Sequence, residues 1–236
     1  MEDRLLRWFE EHRRDLPWRR TRDPYRVLVS EVMLQQTQVP RVIPRYLEWL
    51  ERWPTVEALA SAPRDEVIRA WQGLGYNRRA VSLHRAAQIV ADEGWPDDLT
   101  ELPGVGAYTG AAVRRFALEE PVLPVDTNIR RVLERTGGDF GPEAAEALMD
   151  LGATICLARV PRCEACPLAD GCPSRGRRYE PLRRQSQFEG SFRQRRAETL
   201  RLVAAGRSKG LDAEAVASLE QDGLVEIRAG LARLPQ

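Results

Sequence analysis

The chain has 236 residues, with 36 basic and 35 acidic side chains, a net charge of +1 and 43% hydrophobic residues. At roughly 150 residues per domain, that length accommodates two lobes and a small appendage. The apolar fraction and the balanced charge exclude a disordered chain. No apolar run reaches the roughly eighteen residues of a membrane span, because stretches such as Val27–Leu34 are broken by Ser30 and Glu31. The opening MEDRLLRWFEEHRRDLPW is charged throughout and lacks the apolar core of a signal peptide, so a cytoplasmic location is expected. Lys209 is the single lysine among 36 basic residues, which leaves almost no chemistry that needs a lysine amine.

Helix follows helix through the first two-thirds. Leu5, Leu6 and Phe9 outline an amphipathic helix that stops before Leu16-Pro17. Asp23-Pro24, an N-cap with proline at the first helical position, opens a helix through about Gln36. Val39 to Trp49 gives the next, with Val42, Ile43, Tyr46, Leu47 and Leu50 on one stripe. A short helix from Thr55 ends at proline, and helices over 64–72 and 78–93 follow, the second stopping at Gly94. No strand pattern precedes residue 220, so the region is all-α. Residues 183–190 read as a polar linker, 193–205 and 213–221 as helices, and 224–234 as two short strands around Ala229-Gly230. Helix, helix and hairpin suggest a cut-down winged-helix unit.

Three features carry chemistry. Cys156, Cys163, Cys166 and Cys172 are the only cysteines and fall within seventeen residues. Such clustering points to metal rather than disulfides, and four thiolates suit structural zinc or a four-iron four-sulfur (4Fe-4S) cluster equally. Arg159, Arg162, Arg175, Arg177 and Arg178 surround them as a basic patch fit for phosphates. Leu102-Pro-Gly104-Val-Gly106-Ala-Tyr108 is a glycine turn before a helix, able to present backbone N–H groups to a phosphate. Asp126, eighteen residues past Tyr108, precedes an apolar-periodic helix and reads as its N-cap, a fixed carboxylate.

In this order the turn, Asp126 and the cysteines resemble the helix-hairpin-helix DNA glycosylase superfamily, from about Leu16 to Cys172. The spacing of the cysteines is similar to the cluster loop of the endonuclease III and MutY glycosylases, which implies a 4Fe-4S cluster. The endonuclease III branch carries a Schiff-base lysine where Tyr108 stands, so the resemblance implies a monofunctional enzyme that uses water. Leu28-Val-Ser-Glu31-Val-Met-Leu-Gln35-Gln36-Thr37-Gln38 resembles the MutY signature, and Leu16–Arg19 and Gly73–Ala80 match the same family.

The fold so implied is all-α and two-lobed, with an iron–sulfur cluster loop and a winged-helix-like appendage. One lobe spans 23–125 with the hairpin turn. The other joins 1–22 to 126–182 with the cluster loop, and 183–236 is linker and appendage. The activity implied is excision of adenine mispaired with 8-oxoguanine or guanine. Glu31, its pKa raised by apolar burial, would protonate a purine ring nitrogen, Asp126 would stabilise the oxocarbenium-like sugar, and Tyr108 would position the site. Gln36, Thr37 and Tyr76 would fill the stack where the nucleotide flips out. Gly104, Gly106 and Asn128 would contact DNA, and Glu146 the flipped base. The partner is mismatched double-stranded DNA, with no membrane; a monomer is implied, working in the cytoplasm or, in a bacterium, at the nucleoid.

Two departures stand out. MutY proteins carry a C-terminal domain that helps to recognise 8-oxoguanine, where this chain has about fifty residues of a different pattern. The stretch 139–147 is also shorter than its family counterpart, which would open the base pocket. A thymine glycosylase for G·T mismatches is the sister reading, since it shares the scaffold and the tyrosine. A non-catalytic, redox-sensing DNA binder is the reading of another class.

Overall fold

A computed structural model describes residues 1–180 and 187–236. Residues 183–186 of the expected linker lie outside the described residues. The helices are α1 (Glu2–His12), α2 (Pro24–Leu34), α3 (Val39–Arg52), α4 (Val56–Ala60), α5 (Arg64–Ala70) and α6 (Arg78–Glu93). They continue with α7 (Ala107–Phe116), α8 (Thr127–Thr136), α9 (Ala145–Thr154), α10 (Phe192–Ala204) and α11 (Ala213–Gln221). Strands β1 (Glu226–Arg228) and β2 (Leu231–Arg233) pair antiparallel, with Ile227 opposite Ala232. Two units divide the chain: Met1–Pro24 with Ala107–Arg184, and Tyr25–Gly106 with Gln185–Gln236.

In the first unit, Leu5 of α1, Ile129 and Val132 of α8, and Leu148 and Leu151 of α9 form the core. Helices α8 and α9 approach so closely that a Cβ on Gly152 would lie 2.7 Å from that of Asn128. Asp150 of α9 is fully buried. It accepts from the Arg14 amide at 3.0 Å, Arg14 Nε at 2.7 Å and Arg19 Nη1 at 2.9 Å. Burial alone would raise its pKa, but the Arg19 and Arg14 hydrogen bonds and charges hold it below the ordinary value. The segment after α1 is thereby tied to α9.

In the second unit, α2 is buried over most of its length. It ends at Leu34, two residues short of the expected Gln36, because Gln36 turns left-handed at φ 58°. Helix α3 buries Val42, Tyr46 and Trp49. Leu47, expected on that stripe, is 53% exposed. Five residues of a 3.6-residue turn place it about 140° round from Val42. The Trp49 ring meets Trp53 and Trp71 edge-on at 4.6 and 5.4 Å.

Helices α10 and α11 and the hairpin belong to this second body. Leu200, Val203, Leu219 and Leu224 share a core with Ile68 of α5 and Val81 of α6. Arg64 donates to the Gly223 carbonyl at 2.8 Å, and Arg69 to that of Ala204. Ala229 and Gly230 both adopt positive φ, 50° and 71°, as a two-residue hairpin turn requires. Among the described residues no helix is long and apolar enough to cross a membrane.

Candidate active site

Asp126 caps α8 in extended backbone. Its Oδ1 accepts the amides of Asn128 at 2.9 Å and Ile129 at 2.7 Å, while Oδ2 accepts from Asn128 Nδ2 at 2.8 Å. Asn128 is held in turn by Arg131, whose Nη2 donates to Asn128 Oδ1 at 2.7 Å and to the Gly152 carbonyl at 2.6 Å. Arg131 Nε reaches the Cys156 carbonyl at 2.7 Å. Burial lowers the Arg131 pKa, partly opposed by the charges of Cys156 and Asp126. The carboxylate therefore stands at the end of a chain of bonds that starts at the first cysteine, a fixed negative charge of the kind that stabilises a developing cation. Tyr108 is half-buried in the first turn of α7, in the same unit.

The four cysteines, none in a disulfide, line one small cavity of about 20 Å³. Gly176 N donates to Cys163 Sγ at 3.3 Å and Arg135 Nη1 to Cys156 Sγ at 3.5 Å. Arg135 also bonds the carbonyls of Leu157 and Ala158, both at 2.7 Å, and stacks 3.8 Å from the Tyr179 ring. Burial, reinforced by the three other cysteines, pushes the Cys166 thiol up. Among the described residues, no three His, Cys, Asp or Glu side chains are grouped so as to hold a metal ion. Arg159, Arg162, Arg175, Arg177 and Arg178 are exposed around this loop. Glu146 pairs with Arg19 Nε at 3.2 Å.

The other expected residues lie in the second unit. Glu31 is buried on α2, 6% exposed, with Val27, Leu28 and Val32 buried around it. Exposed Gln36 and Tyr76 are non-glycine residues at positive φ, 58° and 46°. Such strain persists only where the surroundings enforce it. Here the enforcer is Arg79, which reading of the sequence missed. Its Nη1 donates to the carbonyls of Val32 and Gln35, both at 2.6 Å, and Met33 at 3.1 Å. Its Nη2 donates to Thr37 Oγ1 at 3.1 Å and the Gly75 carbonyl at 2.9 Å. The guanidinium also packs on the rings of Trp71 and Tyr76, at 5.2 and 5.8 Å. Burial brings its pKa down to about 10.

The glycine turn separates its two glycines by function. Gly104 sits at φ 81°, and a Cβ there would lie 2.8 Å from Ser82 Cβ of α6, so both backbone and packing demand glycine. Gly106 has no heavy atom within 4 Å of a built Cβ and an ordinary φ, so nothing in the chain requires glycine there. The structure thus gathers Gln36, Tyr76 and Gly104 on one groove, and Asp126 and Asn128 on one hydrogen-bonded chain. Glu31 and Asp126 belong to different units.

Residues 29–152 match the family model described as HhH-GPD superfamily base excision DNA repair protein. The chain is 42% identical to the adenine DNA glycosylase of Mycobacterium tuberculosis, covering 85% of this chain and 77% of that one. It is 43% identical to the adenine DNA glycosylase of Mycolicibacterium smegmatis, covering 83% and 78%. Among solved structures, a thermostable thymine-DNA glycosylase is similar at a TM-score of 0.65 and 31% identity, covering 72% of this chain and 93% of that one.

Proposed function

This chain belongs to the HhH-GPD superfamily of base excision DNA repair proteins, and from that premise we propose that it hydrolyses the N-glycosidic bond of adenine mispaired with 8-oxoguanine or guanine. The observation that carries the reading is the 42% identity to an adenine DNA glycosylase over 85% of the chain. Glu31, buried beside Val27, Leu28 and Val32, is the general acid, and protonating the adenine ring, at N7, lets the base leave neutral. The electron pair of the broken bond departs with adenine, and the sugar becomes oxocarbenium-like. Asp126, held by two amides and Asn128, lowers the energy of that cation. Water then adds to the anomeric carbon and loses its proton.

With Tyr108 in the turn there is no amine to form a Schiff base, so the strand stays intact. Tyr108 positions the site, and Gln36, Thr37 and Tyr76 fill the vacated place in the stack. The open space at Gly106 supports close approach of a DNA phosphate to the turn formed with Gly104. Asn128 orients Asp126 as well as meeting DNA, and Glu146 contacts the flipped base. The lobes follow the two units of the fold, Met1–Pro24 with Ala107–Arg184 and Tyr25–Gly106 with Gln185–Gln236, and the C-terminal segment is winged-helix-like. The protein works as a monomer in the cytoplasm, at the nucleoid in a bacterium.

Cys156, Cys163, Cys166 and Cys172 fit a 4Fe-4S cluster. They line one cavity and receive N–H groups at two sulfurs, as cluster-ligating thiolates can. Such a cluster would supply a rigid, charged anchor for the arginine-rich loop. The likeness to a thymine-DNA glycosylase supports the second reading, thymine removal from G·T. Single-turnover release from duplexes with A·8-oxoguanine, A·G, G·T and thymine glycol, with strands analysed before and after hot alkali, separates them. Adenine release with strand cutting only after alkali is expected. Release of thymine alone moves the substrate, and binding without any release overturns the enzyme reading.

A further inference from the structure

The C-terminal helices do more than complete a core. A groove of about 1130 Å³ in the second unit is lined by Gln36, Tyr76 and Gly104 and by Arg193, Arg196 and Arg201 of α10. Arg41, Arg78 and Arg79 bring its arginines to six, against Glu198 and Asp222 as the acids. That excess is the complement of a phosphate backbone. Two rings at the groove, Tyr76 and Phe188, are 50% and 54% exposed, surfaces on which bases stack.

The α10 wall is fixed to the body that carries Tyr76. Leu200 and Val203 share a core with Ile68 and Val81, and Arg78 of the Tyr76 loop stands 3.9 Å from Asp222. Arg196 is committed to that docking, through Ser218 and Asp222. Among the described residues Arg201 pairs with the exposed Glu198, at 3.3 Å, a surface pair that a phosphate readily displaces.

We propose that this groove binds the DNA strand opposite the excised base, with Arg193 and Arg201 of α10 on its phosphates and Phe188 against its bases. The inference rests on the glycosylase reading in one respect: side chains that fill the place of a flipped nucleotide must touch the base left without a partner. A strand followed outward from Gln36 and Tyr76 then runs along α10.

The test uses the full chain and a duplex with adenine opposite 8-oxoguanine. In the variant Arg193→Gln/Arg201→Gln, affinity should fall about tenfold or more, and the salt slope should shrink by about 1.8, two phosphate contacts at 0.9 each. The melting temperature should stay as in the wild type. With Phe188 replaced by photoreactive benzoylphenylalanine, the adduct should form on the strand opposite the adenine. Unchanged affinity and slope in a folded variant, or an adduct confined to the adenine strand, overturns the proposal. If the wild type releases no base while binding and cross-linking behave as stated, the substrate reading fails and the groove stands. Normal release with unchanged binding by the variant reverses that outcome.

Discussion

Asp126 and the Gln36–Tyr76 region are both held by a half-buried arginine, yet they are built in opposite ways. Around Asp126 the bonds are mostly local: amides two and three residues on, then Asn128, then Arg131. The backbone there is unstrained and the carboxylate is half-buried. Around Gln36 and Tyr76 the backbone is left-handed at both residues, both are exposed, and Arg79 reaches back 47 residues to Val32. The Asp126 carboxylate is thus fixed by its own helix terminus. The Gln36 and Tyr76 segments are held from behind by a distant guanidinium that satisfies several carbonyls at once.

The largest expected effect sharpens the catalytic half of this contrast. Glu31→Gln keeps the size and burial of the side chain but removes the acid, so single-turnover adenine release should fall about 10³-fold; a loss under about threefold would remove Glu31 from its role. Next comes the Arg79 clamp. Arg79→Met leaves the carbonyls of Val32, Gln35 and Gly75 without this donor and should cost about 3 kcal/mol in denaturant unfolding. Arg79→Lys should recover only part, since an ammonium cannot span those acceptors. An unchanged midpoint for the methionine variant would break the comparison.

A smaller effect is expected one bond away from the chemistry. Asn128→Ala leaves Asp126 its two amides but frees Oδ2, and release at saturating DNA should slow about tenfold, or 1.4 kcal/mol, with affinity little changed. The smallest concerns His84, buried with Nε2 lacking a hydrogen-bond partner among the described residues. Burial, with help from the Arg64 charge, lowers its pKa, although the Ala60 and Ala62 carbonyls oppose the shift. A folded pKa below the unfolded value of about 6.5 means that the unfolded chain takes up the proton first. Stability should therefore decline as pH falls below about 6.5, and His84→Gln should flatten that part of the profile in thermal melts.

The same contrast explains what could be read from the sequence. Asp126 as a cap, the helix ending at Gly94 and the hairpin at Ala229-Gly230 rest on chemistry within a few residues, and all three stand in the structure. Helix α2 ran two residues short because its end is set by the left-handed Gln36, held through Arg79 rather than by a local stop signal. Leu47 went to the wrong face because apolar character alone does not say which of two adjacent stripes meets the core. Arg79 and Arg131 looked like ordinary surface arginines, since carbonyls of distant residues leave no trace in a sequence pattern. Glu31 as a buried acid was legible from its apolar neighbours.

The most direct test of the catalytic account is a paired measurement on the wild type and Asp126→Asn. Asparagine is as good an N-cap as aspartate, so α8 should keep its start while the charge is removed. The measurement is single-turnover adenine release from an A·8-oxoguanine duplex, with affinity for the same duplex determined in parallel. The account predicts release reduced by about 10³-fold or more, with binding retained and no strand cutting before alkali. Release at the wild-type rate from a folded, DNA-binding Asp126→Asn would contradict it.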